Sequence, residues 1–348
     1  MTFDVQIAHG VEEIGEEAWN HLSGDRPFAS YRWYRFGEAV LADDLPIYVI
    51  LSRQGEAVGR ATFWLERRES LPVRSRVVHS LVRMVLRWWP LLVCRSPLSG
   101  TSGLVLPAPP SRDAALETII RCAQELTQQY GVSFLLFDYL EHAEMSWPGW
   151  PQDLVRVASM DPGTCLAISW PDFEGYLAHL SKKHRYNIRR NYRLAAEQGI
   201  EVKYHRTVVD VDQAMRLHEN VNRRYRYPTD PWMRGVLENA GMVNAAWLAA
   251  EQEGRIVGCE LMVEDGKAWL VMGLGLDYAT PYVYFLLGHE DIRYAIDHGA
   301  CVLRWGASSY EVKQRFGFQP EDNGNLVFAG RWASLQSLGR WVAEHNLA

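Results

Sequence analysis

YVILSRQGEAVGRATFWLE (Tyr48–Glu66) and WLAAEQEGRIVGCELMVED (Trp247–Asp265) are the two stretches that decide the fold. Gly55, Val58 and Gly59 of the first recur as Gly254, Val257 and Gly258 of the second, each 199 positions further on. Each copy reads as a β-hairpin: a strand, a tight turn at the first glycine, and a second strand carrying Val-Gly. A second echo follows. ELTQQYGVSFLLFDYLE (Glu125–Glu141) and IRYAIDHGACVLRWG (Ile292–Gly306) both read as helix, glycine stop, strand. Two matches in the same order imply a duplicated α/β domain, a mixed sheet with flanking helices in each half.

The halves are unequal. From Gly59 to Gly131 is 72 positions and from Gly258 to Gly299 is 41, so the first half carries about 31 extra residues, placed near 67–106. Within them, RVVHSLVRMVLRWWP sets Arg76, Ser80, Arg83 and Arg87 on one narrow stripe, with apolar residues over the rest and Trp88 and Trp89 at its tip. An amphipathic helix over Arg76–Trp89 suits an anionic membrane surface, where apolar burial and charge attraction add. It equally suits a lid over its own domain.

In the second half, GLDYATPYVYFLLGHEDIRYAIDHGACVLRWGASSYEVKQRFGFQP (Gly275–Pro320) predicts a helix over Tyr282–His298, a strand over Cys301–Trp305, and a loop bearing Lys313 between Tyr310 and Phe316. One cation among aromatics can hold an acyl group and stabilise negative charge. Upstream, PDFEGYLAHLSKKHRYNIRRNYRLAAEQG predicts one long helix from Asp172, its N-cap, to Gly199, its stop. Lys182, Lys183, Arg185, Arg189, Arg190 and Arg193 fall on it with no acid between them, an uncompensated run suited to a phosphate-bearing carrier or to a solvated face. ENVNRRYRYPTDPW adds Arg223, Arg224 and Arg226 interleaved with Tyr225 and Tyr227, a pattern that can clamp phosphates and stack on a ring.

Bulk properties narrow the field. The 348 residues are 48% hydrophobic and 22% charged with a formal net charge of −6, so no global basic field draws the chain to nucleic acid and any anion site is local. Five dispersed cysteines give neither a disulfide framework nor a structural zinc pattern. The eleven histidines show no ligand spacing, so no metal is expected. MTFDVQIAHG has no signal-peptide character, and no uncharged apolar run reaches spanning length. A cytoplasmic, at most membrane-peripheral, protein is expected. Hydrolase, nucleotide-binding and metalloprotease motifs are missing.

The order DFEGYLAHLSKKHRYNIRR, hairpin, strand–helix, then YEVKQRFGF resembles the Fem-type peptidoglycan-bridge aminoacyltransferases, and more closely their CelD-like acetyltransferase relatives, from Phe28 to the C-terminus. Both are duplicated GNAT acyltransferase folds. The resemblance implies two tandem GNAT-like domains, 1–165 with the insertion and 166–320 with the basic helix and lysine loop, and a strand and helix at 321–348 packing back on the first. It implies transfer of an acyl or aminoacyl group from an activated carrier to an amine. The carrier is aminoacyl-tRNA by preference, or acyl-CoA, and no cofactor is tightly bound.

By the same resemblance Lys313 would stabilise the oxyanion and Asp138, in FLLFDYLE, would receive or orient the amine proton. Arg224, with Arg223, Tyr227, Tyr310 and Phe316, would bind substrate. Lys182, Lys183, Arg185, Arg189 and Arg190 would bind the carrier. This chain departs from the family in having Tyr139 where proline usually follows the aspartate, and in lacking the Q/R-x-x-G-x-G/A turn that cradles coenzyme A. The competing expectations are an acyl-CoA-dependent N-acetyltransferase of an envelope or small-molecule amine, and a non-catalytic module for anionic ligands. Acceptor, general base and oligomeric state stay open.

Overall fold

The structure is a computed structural model that describes residues 2–67, 88–158, 161–227 and 230–346. The expected Arg76–Trp89 helix lies, up to residue 87, outside the described residues. The chain divides into two compact units, Met1–Pro162 with Glu321–Ala348, and Gly163–Pro320.

The first unit runs β1 (Asp4–Ala8), α1 (Glu16–Ser23), α2 (Tyr31–Val40), β2 (Leu45–Arg53), β3 (Glu56–Glu66), β4 (Leu91–Cys94), β5 (Leu104–Val105), α3 (Arg112–Tyr130), β6 (Phe134–Leu140), α4 (His142–Met145) and β7 (Val155–Ala158). The second runs β8 (Thr164–Ala167), α5 (Phe173–His179), α6 (Lys182–Glu197), β9 (Ile200–His205), α7 (Val211–Tyr225), α8 (Met233–Asn239), β10 (Asn244–Gln252), β11 (Arg255–Asp265), β12 (Ala268–Leu276), α9 (Val283–Asp297), β13 (Val302–Trp305), α10 (Tyr310–Arg315) and β14 (Gln319–Pro320). The chain then returns to the first unit as β15 (Asn325–Gly330) and α11 (Ala333–Asn346).

The two sheets repeat one plan. The first has the order β1-β2-β3-β4-β6-β15-β7, with β5 on β3, and the second β14-β8-β13-β12-β11-β10-β9. Each holds one parallel pair, β4 with β6 and β12 with β13, bridged by a connection that contains a helix, α3 or α9. The hairpin turns match in detail. Gln54-Gly55 and Glu253-Gly254 all have positive φ (55°, 82°, 52° and 75°), as a two-residue turn between twisted strands requires. Each hairpin then slips register at one point, between Leu51 and Ser52 and between Ala250 and Glu251, so that Val58 and Val257 are the extra residues of equivalent β-bulges. That is the physical content of the repeated Val-Gly. A Cβ on Gly258 would stand 2.2 Å from Val283 Cγ1, at the start of α9, so glycine lets the helix lie close on the sheet.

Each unit has its own core. Ile47, Val49, Leu51, Phe63, Leu116, Ile119 and Phe137 anchor the first, and Leu248, Met262, Leu287, Ile292, Leu303 and Phe318 the second. Among the described residues no helix is long and apolar enough to cross a membrane.

The single helix expected over Asp172–Gly199 is two. Leu180 is extended (ψ 159°), and the Ser181 hydroxyl accepts the backbone N–H of His184 at 3.3 Å, a new N-cap. The expected lysine loop is also helical, as α10.

Candidate active site

Lys313 is placed by an abrupt exit from β13. Ser308 and Ser309 both take positive φ (73° and 52°), turning the strand end directly into α10. The Lys313 side chain is 8% exposed and folds back, its Nζ donating to the carbonyls of Gly306 and of Ala307, the latter at 3.0 Å. Its own carbonyl accepts the N–H of Phe316 at 3.0 Å and of Phe318 at 3.2 Å. The aromatic wall beside it is continuous: Phe316 lies against His289 (4.6 Å between ring centroids), Trp305 (5.1 Å) and Phe285 (6.1 Å), and Trp305 stacks on Phe318 (4.3 Å). Tyr310, half-buried, opens the same helix.

Two acids in this wall escaped the sequence reading. Glu260 on β11 is 6% exposed and Asp291 on α9 is 0% exposed, and both carboxyl oxygens of Asp291 are buried with no hydrogen-bond partner among the described residues. Burial raises both pKa values; the proximity of Lys313 opposes the rise in Glu260, while the Glu260 and Glu290 charges push Asp291 further up. A signal for each was present. Glu260 interrupts the apolar run IVGCELMV, and Asp291 follows Val283 and Leu287 at helical spacing on the buried face.

A cleft of about 590 Å³ opens along α6, lined by Lys183, His184, Asn187, Ile188, Arg190 and Asn191 from that helix and by Phe285, His289, Arg315 and Phe316 opposite. Three cations thus surround an aromatic floor. His289 in that floor is desolvated and held neutral, its pKa lowered to about 4, with Nδ1 against the Phe285 carbonyl at 2.5 Å.

The basic run on α6 is divided among several tasks. Arg185 turns back to the carbonyls of Ala178 (3.1 Å) and Leu180 and closes the end of α5. Arg189 pairs with Glu174 at 3.1 Å and Arg193 with Glu197 at 3.6 Å. The expectation of an uncompensated run is corrected by these pairs, since one acid comes from the preceding helix and the other from the next turn. Lys182, Lys183 and Arg190 enter no ion pair among the described residues.

At the end of α7, the Arg224 guanidinium lies 4.4 Å over the Tyr278 ring and Tyr225 stacks on Tyr227 at 5.8 Å; Arg223 is exposed beside them. Burial and Tyr225 raise the Tyr278 pKa to about 12. Tyr284 packs on Phe285 at 5.3 Å and on Phe316 at 6.3 Å between ring centroids, and burial raises its pKa. The second unit therefore brings Phe316, whose N–H is held by the Lys313 carbonyl, into one cleft with Lys183 and Arg190, while Arg224 lies over Tyr278.

Asp138 belongs to the first unit, where its carboxylate accepts the Tyr139 N–H at 2.8 Å and lies 3.7 Å from Arg95, which also pairs with Glu66 at 2.7 Å. Tyr139 has φ 55°, a value closed to proline, and donates the N–H that proline lacks. The departure from the family at this position is thus built into the backbone. Among the described residues no cluster of three or more His, Cys, Asp or Glu could hold a metal.

Comparison with known proteins agrees with this architecture. The FemAB-like family pattern, described as peptidoglycan biosynthesis/recognition, matches residues 10–346. No curated protein matches the chain significantly. Among solved structures, FemX superposes with a TM-score of 0.61 at 12% identity, over 97% of this chain and 100% of that one. A tandem GNAT protein from the clavulanic acid biosynthesis pathway, solved without AcCoA, gives 0.54 at 13% identity over 94% and 98%. The C-terminal DUF2156 domain of an Agrobacterium fabrum protein named for lysylphosphatidylglycerol synthesis gives 0.54 at 10% identity over 96% and 96%. The chain belongs to the FemAB-like family, and is an acyltransferase built on two tandem GNAT folds.

Proposed function

We propose that the chain is an N-acyltransferase in which an amine attacks the carbonyl of a group carried on an activated ester, with aminoacyl-tRNA as the donor. The observation that carries this reading is the cleft, whose Lys183, Arg190 and Arg315 surround an aromatic floor ending at Phe316, one turn from Lys313. Phosphates of the carrier would rest on the three cations and the acyl group on the rings. Attack forms the C–N bond and moves the carbonyl π pair onto oxygen. The Lys313 ammonium stabilises that oxyanion, whose collapse breaks the bond to the carrier. Arg224, with Arg223 and Tyr227, and Tyr310 beside Lys313, would hold the acceptor, an amine such as that of a peptidoglycan precursor.

An acyl-CoA donor is the second reading. It is favoured by the same cleft, since three cations on one side suit a compact polyphosphate as well as a nucleic-acid backbone. Affinity for alanyl-tRNA and for acetyl-CoA across a salt series separates them. Binding of tRNA that weakens steeply with salt supports the first, binding of the thioester alone replaces it with the second, and binding of neither sinks both.

Peripheral contact with an anionic membrane belongs to the same reading. It is supported by Trp88, 78% exposed, and by the exposed Trp89 packed edge-on to Trp332 at 5.9 Å, with Arg331 over Trp332 at 5.0 Å.

A further inference from the structure

We propose that His289 is a specificity-determining residue whose Nε2 accepts a hydrogen bond from the α-amino group of the transferred aminoacyl group, so that the cleft tells an aminoacyl donor from a plain acyl one. The inference rests on the donor proposed above.

The ring is held on several sides. His289 is 5% exposed, yet it lines the cleft. Phe316 lies 4.6 Å and Tyr192 6.4 Å from it between ring centroids. A Cβ on the preceding residue, Gly288, would stand 2.8 Å from Trp305 Cη2 and 3.0 Å from Phe316 Cε1, so glycine lets both rings close on the helix beside His289. Nδ1 lies 2.5 Å from the Phe285 carbonyl, one turn back along α9. A carbonyl can only accept, so Nδ1 donates and carries the ring's proton. Nε2 therefore keeps its lone pair. It has no hydrogen-bond partner among the described residues, and it is not among the side-chain atoms that packing seals from solvent without one. With the ring in the cleft wall, that lone pair is open to the cleft. A second proton is disfavoured, because burial penalises the imidazolium and Arg293 adds a like charge.

This sets His289 apart within the lining. Lys183, Arg190 and Arg315 only donate, and Asn187 and Asn191 can turn either end of their amides to a ligand. His289 only accepts. A phosphate or an ester oxygen has no proton to give it. The α-amino group of an aminoacyl ester has, and it sits on the carbon next to the reacting carbonyl, in the group that rests on the rings. A plain acyl group would leave Nε2 desolvated and without a donor, which is how a polar site rejects a ligand that lacks the matching group.

The test uses the full chain with alanyl-tRNA and propionyl-tRNA, which differ only in the α-amino group, as competing donors and a lysine-containing peptidoglycan stem peptide as acceptor. The wild-type kcat/KM ratio should favour the alanyl donor about 10- to 100-fold, the worth of one charge-assisted hydrogen bond. His289→Leu, which fills the space without an acceptor, should bring that ratio close to one. His289→Gln, whose amide oxygen can stand in for Nε2, should restore part of it. An unchanged ratio in His289→Leu assigns the ring to packing and overturns the inference. Equal use of both donors by the wild-type chain also overturns it and leaves the acyltransferase reading standing. Should His289→Leu fail to fold, nitrogen NMR of the wild-type protein decides: the His289 Nε2 resonance should shift on binding an adenosine that carries alanine in amide linkage, and not on binding the propionyl counterpart. Equal shifts with the two overturn the inference. A wild-type chain that transfers from neither tRNA overturns the donor reading and the inference with it.

Discussion

Lys313 Nζ donates to the carbonyl of Ala307 at 3.0 Å, six residues back along its own chain. The ammonium thus closes the turn that carries it. With the Gly306 carbonyl as a second acceptor, its position is fixed before any substrate arrives. Lys313→Ala should cut kcat by about 10²- to 10³-fold, as loss of an oxyanion donor does elsewhere. Two carbonyls would also lose a charged donor, so stability should fall by about 1–3 kcal/mol and thermal unfolding come earlier. Lys313→Arg should recover little, because a planar fork cannot occupy the same point. Initial rates and melts on the three proteins decide this.

The cations of α6 should separate into two groups. Lys183→Ala, Arg190→Ala and, opposite them, Arg315→Ala should each weaken carrier binding several-fold. If the carrier is tRNA, each should lower the slope of log K against log salt by about 0.7–0.9. Arg189→Ala and Arg193→Ala should leave that slope unchanged, because Glu174 and Glu197 already engage them. Equal effects at all five positions would mean that the whole helix, and not the cleft, meets the carrier.

Gly258→Ala should destabilise the protein by about 1–3 kcal/mol, the cost of forcing a methyl against Val283. The double variant Gly258→Ala, Val283→Ala should recover part of the loss. Denaturant midpoints measure both.

His289 gives a pH signature. Its folded pKa, about 4, lies below that of an ordinary histidine near 6.5, so between those values the unfolded chain binds a proton that the folded one refuses. Its contribution to stability is therefore whole above about pH 6.5 and lost as pH falls toward 4. His289→Gln should show a shallower fall in melting temperature over that window, and parallel curves would contradict the assignment.

Trp88→Ser, Trp89→Ser should abolish co-sedimentation with vesicles containing anionic lipid while leaving transfer to a soluble acceptor intact. Equal sedimentation of the double variant would remove the membrane contact.

Much of the fold was legible in the sequence because it rests on local signals. Gly55 and Gly254 mark turns that need positive φ, Gly131 and Gly299 mark helix ends with φ 65° and 70°, and the spacing of Val-Gly fixed the duplication before any contact was known. The break at Leu180 was not legible, since Leu-Ser inside a polar helical run carries no strong stop. Arg185 and Arg189 likewise read as members of one charge stripe, although one closes a helix end and the other an ion pair fifteen residues away.

By itself the sequence determined that two α/β units of common plan occupy this chain, that Lys313 stands among aromatics, and that α6 is basic. Strand pairing, turn chemistry and helix ends follow from neighbours along the chain, and those are written in order. Only the tertiary structure decided that Glu260 and Asp291 are buried, and that Lys183, Arg190 and Arg315 share one cleft. Such meetings depend on burial and on charges acting through space between strand and helix.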